Sequence, residues 1–209
     1  MKKLISIVAI ICLVQSFAYA QRKIEYGFTI GGGLGIQSIN NSSIISNNSI
    51  RTFNARLIVN FPVLAKYYLR TGLGLENKGT VITEDALTTT NKITYYELPV
   101  LLMRKYEVPT LGKVIAGIGA YVAMGDSGKL TYETPNSSTS NEISFGSDND
   151  FLKYDTGVSL LTGLQLNNRL TFNLGYDFGL NNIASQPLKD GGYKSIYNRE
   201  FTVMLGLIF

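Results

Sequence analysis

The stretch "RLTFNLGYDFG", residues 169–179, alternates between large apolar side chains and small or polar ones. The apolar set is Leu170, Phe172, Leu174, Tyr176 and Phe178, and the intervening set is Thr171, Asn173, Gly175, Asp177 and Gly179. Because successive side chains of a β-strand point to opposite faces, this pattern predicts a strand with one apolar face and one polar face. The run is also longer than the typical globular strand of about five or six residues.

The same two-residue alternation recurs in eight segments along the chain. A tilted strand needs about 9–11 residues to cross a bilayer, and each segment is long enough to do so. No apolar stretch after Gln21 approaches the ~20 residues of a membrane helix. The eight segments are 25–37, 51–61, 67–77, 92–105, 112–124, 151–166, 169–180 and 199–209.

The connections between these segments alternate between long and short. The long ones are rich in Asn, Ser, Thr and Gly, whereas the short ones are "PVLAK", "EVPTLG" and "NN". Short periplasmic turns and long outer loops are typical of bacterial outer-membrane barrels. We therefore predict an all-β fold: an eight-stranded antiparallel up-and-down transmembrane β-barrel over residues 21–209. An even strand number places both termini in the periplasm.

Residues 1–20 have the composition of a cleaved signal peptide. Lys2 and Lys3 precede an apolar run, and "AYA" at residues 18–20 offers small residues for cleavage. The run is too short for a membrane anchor. Cleavage removes Cys12, the single cysteine, and leaves 17 basic and 15 acidic residues. This balance gives no indication of a nucleic-acid partner.

The last strand, "REFTVMLGLIF" at residues 199–209, ends on an apolar residue without a polar tail. In a closed barrel the last strand pairs with the first, so its end does not fray. We expect Phe209 to face lipid and to serve as the signal by which the barrel assembly machinery recognises the chain. The expected partners are thus outer-membrane lipid and that machinery, and the expected state is a monomer.

Strand parity places seven charged residues on the inner face of the barrel: Arg56, Arg70, Glu97, Lys153, Asp155, Asp177 and Glu200. Charges in so narrow a lumen must pair or bind water. One interpretation is a structural ionic network that fills the barrel. The other is a cation or proton site formed by Asp155, Asp177 and Glu200. Lys153, two residues from Asp155, favours simple pairing.

Catalytic chemistry has little support in this sequence. It has no histidine, which excludes Ser–His schemes, and after cleavage no cysteine or histidine remains for zinc. We predict no enzyme activity, no cofactor and no metal. "DND" at residues 148–150 lacks the Gly and the distal Glu of a calcium loop, which favours a solvated turn. Pro99 interrupts a central strand, and we expect a bulge there.

Four stretches resemble the PorT-like outer-membrane β-barrel proteins of Bacteroidota, which share the architecture of the OmpA and OmpX barrels. They are "ITYYELPVLLMRKY", "KVIAGIGAYVAMGDSGK", "TGVSLLTGLQLNNRLTFNLGYDFGLNNIA" and "NREFTVMLGLIF". The resemblance is close over roughly the last half of the chain and covers the first half only in pattern. It implies an integral outer-membrane protein. The founding member of the family is linked to type IX protein secretion.

Two function classes remain open. In the first, the long loops give a structural or surface-binding role towards an extracellular ligand. In the second, the barrel is an accessory part of an envelope machine such as a secretion complex. The longest loop, Asp126–Asp150, has alternating "KLTYET" and "NEISF" on either side of "PNSSTS". This pattern fits a projecting hairpin whose edge recruits a partner strand, and the Ser and Asn content fits a disordered loop.

Overall fold

The computed structural model describes residues 23–41 and 46–209. The predicted signal peptide, residues 1–20, lies outside the described residues. Within them, no helix is long and apolar enough to cross a membrane. The elements are β1 (Glu25–Asn40), β2 (Ser46–Asn48), β3 (Ile50–Leu64), β4 (Tyr67–Glu84), β5 (Leu87–Val108), β6 (Gly112–Thr134), β7 (Ser137–Glu142), β8 (Tyr154–Leu166), β9 (Leu170–Gly179), α1 (Gln186–Asp190) and β10 (Ser195–Ile208).

Eight of these strands form a closed ring. Neighbours pair antiparallel in the order β1, β3, β4, β5, β6, β8, β9, β10, and β10 pairs back to β1 from Gly27–Ile208 to Asn40–Ser195. The predicted eight-stranded antiparallel barrel is confirmed. Each predicted segment corresponds to one strand of the ring, although segment 151–166 begins three residues before β8.

Closure extends to the last residue. The Phe209 amide donates to the Tyr26 carbonyl at 2.6 Å, and the Tyr26 amide donates to the Phe209 carbonyl at 3.3 Å. The Phe209 side chain is 63% exposed on the outer face. Strand β1 also lies unusually close to β10 at Gly33. A Cβ atom at this position would lie 1.8 Å from the Phe201 carbonyl oxygen. Glycine at this position permits the close approach of the first and last strands.

The two ends of the barrel differ. At one end, which we call the turn end, short turns join β3 to β4, β5 to β6 and β8 to β9, and Tyr26 pairs with Phe209. At the other, the loop end, strands β4, β5 and β6 continue beyond the ring. Strand β4 leaves β3 after Glu76, and β6 leaves β8 after Met124.

The continuing strands form a second, smaller sheet, which we call the projecting sheet. It consists of β2, residues 79–84 of β4, residues 87–92 of β5, residues 128–134 of β6, and β7, paired in that order. Residues 78–91, predicted as a loop, are therefore largely paired strand. Their Thr-rich composition suggested a loop. In the structure, strand β4 continues to a tight turn at Asp85, whose φ is +51°, and β5 begins after it.

A hairpin is present within residues 126–150, with "KLTYET" as its first strand as predicted, but its second strand is "SSTSNE" rather than "NEISF". Strands β6 and β7 pair from Lys129–Glu142 to Thr134–Ser137, and Pro135 and Asn136 form the turn. This turn is tighter than the six-residue "PNSSTS" turn predicted from the sequence. Residues 143–153 then fold back over the barrel mouth instead of continuing the hairpin.

The expected bulge at Pro99 is wrong. Pairing of β4 with β5 skips from Thr71–Val100 to Gly74–Glu97 without a change of register. Proline has no N–H to donate, so the ladder is interrupted there while the strand runs straight on. The register shift of β5 lies instead between Thr94 and Tyr95, on its β6 side.

Candidate functional site

The structure places six of the seven charged residues expected in the lumen inside the barrel: Arg56, Arg70, Glu97, Asp155, Asp177 and Glu200. Each is between 0% and 8% exposed. Lys153 is different. It lies in an exposed bend, because β8 begins only at Tyr154 and strand parity does not apply before it. The expected lumenal position of Lys153 and its pairing with Asp155 are both wrong.

Two residues at the centre of the lumen were missed by the sequence analysis. Glu76 is 0% exposed and Lys78 is 1% exposed, both on β4. The predicted strand ended at residue 77, so Lys78 was assigned to a loop. Glu76 lies within the predicted strand 67–77 at the parity of Arg70 and was overlooked. Extending the same alternation by one residue would have found Lys78.

A chain of ion pairs, which we call the central network, crosses the lumen. The Arg56 Nη2 atom lies 2.5 Å from Glu76 Oε1 and 2.9 Å from Glu97 Oε1. The Lys78 Nζ atom lies 2.8 Å from Glu97 Oε2 and 3.4 Å from Asp155 Oδ2. Glu97 thus joins both cations. Four strands, β3, β4, β5 and β8, are linked across the barrel by these contacts.

Aromatic and amide side chains complete the surroundings of Lys78. Its ammonium lies 3.9 Å from the centre of the Tyr121 ring, a cation–π distance. The Tyr121 hydroxyl and the Asn198 amide donate to Asp155 Oδ2 at 3.1 Å and 2.9 Å. One oxygen of Asp155 therefore receives three donors, counting Lys78.

Three further contacts define an acidic side of the central network. The Asn54 amide donates to Glu76 Oε2 and, at 3.0 Å, to Glu200 Oε1. The Ser159 hydroxyl donates to Asp177 Oδ1 at 2.5 Å. One oxygen each from Glu76, Asp177 and Glu200 lies within 4.8 Å of the other two. The carboxylate group expected from the sequence contained Asp155; in the structure Glu76 takes its place.

A separate group of charges, which we call the turn-end cluster, lies near the short turns. Lys105 Nζ forms an ion pair with Glu25 Oε2 and donates to Gln165 Oε1 at 2.8 Å. The Asn60 amide donates to Glu25 Oε2 at 2.9 Å and accepts from Arg70 Nε at 2.8 Å. The Glu25 side chain is 17% exposed, so this cluster reaches the barrel opening.

At the loop end an apolar layer covers the lumen. Residues from the strands pack against residues of the two folded-back loops, 143–153 and 180–194. The buried members are Ile93, Tyr95, Tyr121, Ala123, Ile143, Phe151, Ile183, Ala184 and Ile196. Backbone hydrogen bonds join the loops to each other and to β10, as from Leu152 to the Ile183 carbonyl and from Ile183 to the Ile196 carbonyl, both at 2.9 Å. We call this layer the loop cap.

Between the loop cap and the projecting sheet lies a cavity of about 200 Å³, lined in part by Glu84, Asn91, Leu130, Phe151 and Tyr193. The Tyr193 hydroxyl lies 3.5 Å from Glu84 Oε1. Partial burial, together with the adjacent Glu84 carboxylate, raises the pKa of the Tyr193 hydroxyl. The cavity is small beside typical ligand pockets of about 300–1,000 Å³.

The acidic turn at residues 148–150 satisfies its own backbone. Asp150 Oδ2 accepts from the Ser144 amide at 2.7 Å, and Asp148 Oδ2 accepts from the Ser147 hydroxyl at 3.0 Å. The Asp150 carboxylate therefore stabilises the backbone of this loop.

A closed ring of long strands, with apolar side chains outside and a charged interior, matches one family model. That model describes an outer-membrane protein β-barrel domain and aligns with residues 15–185. The chain belongs to this family. It is accordingly a β-barrel protein of the outer membrane, and its exposed apolar residues, such as Leu57, Leu205 and Phe172, form the lipid-facing surface.

Three solved barrels are similar to this chain. The attachment invasion locus protein Ail of Yersinia pestis is 14% identical, with 90% of this chain and 100% of Ail covered and a TM-score of 0.44. Neisserial surface protein A is 12% identical, with 90% and 100% covered and a TM-score of 0.48. OprG of Pseudomonas aeruginosa is 12% identical, with 88% and 95% covered and a TM-score of 0.45. No curated protein matches the sequence.

Proposed function

We propose that this protein is a monomeric surface protein of the outer membrane, in which the barrel anchors the projecting sheet and the free edge of that sheet binds an extended peptide segment of a partner. The proposal includes the orientation: the loop end faces outward, and both termini face the periplasm. The observation that carries it is β7. All six residues of this strand are exposed, and among the described residues the strand pairs with β6 alone.

The barrel interior supports an anchor rather than a channel. The central network and the loop cap fill the lumen of a ring of eight strands, in which side chains alone occupy the space. We therefore expect liposomes that contain the folded protein to exclude sugars and small ions. The sequence has no histidine, and its single cysteine is Cys12, so the proposal assigns no catalytic role.

The edge of β7 has the features of a strand-addition site. An unpaired edge presents alternating N–H and C=O groups that an added strand satisfies through main-chain hydrogen bonds. Its side chains, "SSTSNE", are small and polar, with one carboxylate at Glu142. The opposite edge of the projecting sheet, β2, is only three residues long and offers a much shorter surface.

Site-specific crosslinking in intact cells tests the proposal. A photo-reactive residue replaces Ser140 on the edge, and in a matched strain it replaces Asn168 in a turn at the opposite end. We expect a discrete crosslinked product from position 140 and none from position 168. A product at position 140 that persists when prolines block the outward N–H groups of β7 contradicts strand addition.

The PorT-like resemblance supports a second function, that of an accessory barrel in an envelope machine such as type IX secretion. In that case the partner lies on the periplasmic side. The same experiment distinguishes the two functions, because an accessory barrel gives its crosslink from position 168. Recovery of secretion components with the detergent-extracted protein would then identify the machine.

A further inference from the structure

We infer that the barrel interior holds one hard divalent cation, of the calcium class, between the carboxylates of Glu76, Asp177 and Glu200. These residues come from β4, β9 and β10, and Glu200 lies directly opposite Asp177 in the pairing of β10 with β9. Their exposed fractions are 0%, 7% and 1%. The inference is independent of the surface-binding function, because it concerns the charge balance of the side chains inside the barrel.

Geometry allows a single ion to reach all three groups. One oxygen of each carboxylate lies within 4.8 Å of the other two. Calcium binds oxygen at about 2.3–2.6 Å, so two ligands on opposite sides of the ion are about 4.6–5.2 Å apart. The three oxygens are therefore close enough to share one calcium ion without movement of the backbone.

The charge of the central network is unbalanced. Five buried carboxylates, Glu76, Glu97, Asp155, Asp177 and Glu200, face two cations, Arg56 and Lys78. The remaining lumenal cations, Arg70 and Lys105, are engaged with Asn60 and Glu25 at the turn end. Uncompensated buried charge is strongly unfavourable. A divalent ion removes two of the three excess negative charges.

One oxygen of the Glu200 carboxylate lacks a hydrogen-bond donor within the part of the chain that the structure describes. Glu200 Oε2 is buried and has no hydrogen-bond donor among the described residues, whereas Glu200 Oε1 accepts from Asn54. A buried carboxylate oxygen without a donor costs free energy that a coordinated cation recovers. Asp155 Oδ1 is also unpartnered, but the other oxygen of Asp155 already receives three donors.

The chemistry of the ligands selects the class of ion. The three side chains offer carboxylate oxygens alone, and the polar group nearest to Asp177 is the Ser159 hydroxyl. Oxygen ligands without nitrogen or sulfur suit calcium, magnesium or manganese rather than zinc or copper. Because the loop cap covers one end of the lumen, we expect the ion to be captured while the barrel folds.

Refolding with and without calcium tests the inference. The urea-unfolded protein is refolded into detergent micelles with either calcium chloride or EDTA and then examined by native mass spectrometry. We expect one calcium ion per barrel after refolding with calcium, and a heat-induced gel shift at a higher temperature than after refolding with EDTA. Glu200→Gln and Asp177→Asn should both lose the ion.

A double variant, Glu107→Gln with Glu133→Gln, provides the control, because it removes two exposed carboxylates outside the loop cap and leaves the lumen intact. It should retain one ion. Two results overturn the inference: a wild-type barrel that carries no ion and behaves identically in calcium and EDTA, or an ion that persists in both lumenal variants. If neither lumenal variant folds, the comparison of wild-type protein refolded in calcium and in EDTA decides the inference. A wild-type barrel without an ion would mean that protons neutralise the lumenal carboxylates instead.

Discussion

The central network and the turn-end cluster balance their charges in opposite ways. In the centre, carboxylates exceed cations and every charged group is at most 8% exposed. At the turn end Lys105 pairs with Glu25, whose side chain is 17% exposed, and the buried Arg70 is linked to that carboxylate only through Asn60. Water can solvate charges at the barrel opening, whereas groups in the centre depend on their neighbours alone. Loss of one partner from an ion pair should therefore lower the free energy of unfolding more in the centre than at the turn end.

Loss of Lys78 should have the largest effect on stability. This residue contacts Glu97 and Asp155 and lies against the Tyr121 ring, and the network around it already has too few cations. Removal of one partner from a buried ion pair costs about 3–5 kcal/mol. We expect Lys78→Met to lower the free energy of unfolding by about that amount, measured by urea titration of the heat-dependent gel shift in micelles.

Lys92→Met is the matched control for Lys78. Lys92 is an exposed lysine on the neighbouring strand β5, and its loss should change stability by less than about 0.5 kcal/mol. Equal stability of Lys78→Met and Lys92→Met would show that the central network contributes nothing to the fold.

Loss of Lys105 should have a smaller effect. Glu25 keeps the Asn60 donor and is open to water, so the unpaired carboxylate is only partly deprived of partners. A buried group that loses a partner costs about 1–3 kcal/mol, and we expect Lys105→Met to fall within that range. Lys66→Met, at an exposed lysine of a nearby turn, is the control. A loss as large as that of Lys78→Met would contradict the contrast between the two clusters.

The sequence predicted the strands of the barrel better than the side chains that fill its lumen. Alternation along β9 and β10 placed Asp177 and Glu200 inside correctly, because parity is fixed once a strand is recognised. Lys153 failed because parity was extended beyond the end of β8. Lys78 was missed because β4 leaves the barrel as a polar, Thr-rich strand whose composition resembles a loop. Glu76 was overlooked although it lies within the predicted strand 67–77 at the parity of Arg70.

The partners of each charge could not be predicted from the sequence. Arg56 meets Glu76 on the adjacent strand and Glu97 on the strand beyond it. Which groups face one another across a barrel depends on strand tilt and stagger, which are properties of the closed ring. A single strand pattern gives the face on which a side chain lies but not its height relative to distant strands.

Deletion of Phe209 should affect the finished barrel less than either lysine substitution. The deletion removes the two hydrogen bonds to Tyr26 and an aromatic group exposed on the outer face. We expect a loss of about 1 kcal/mol in the refolded protein. In cells the deletion should instead lower the amount in the outer membrane strongly, because the predicted signal for assembly is lost. Normal outer-membrane levels would refute that role, whatever the stability in micelles.

The smallest effect on the barrel should come from shortening the projecting sheet. Replacement of residues 131–140 by Asn-Gly joins Leu130 to Asn141, which already pair, through a two-residue hairpin turn. Neither cluster of the lumen loses a contact, and Ile143 remains in the loop cap. We therefore expect stability within about 0.5 kcal/mol of the wild type. A photo-reactive residue at Glu142, which the shortened chain retains, should lose its crosslink to a partner. In the unshortened protein, amide hydrogen exchange should show consecutive protected amides in residues 129–133, because β6 pairs with β5 on one side and with β7 on the other. Complete exchange of these amides within seconds would contradict an ordered projecting sheet.

A matched deletion that also removes Ile143 should loosen the loop cap and lower stability measurably, which separates the role of the sheet from that of the residues that cover the lumen.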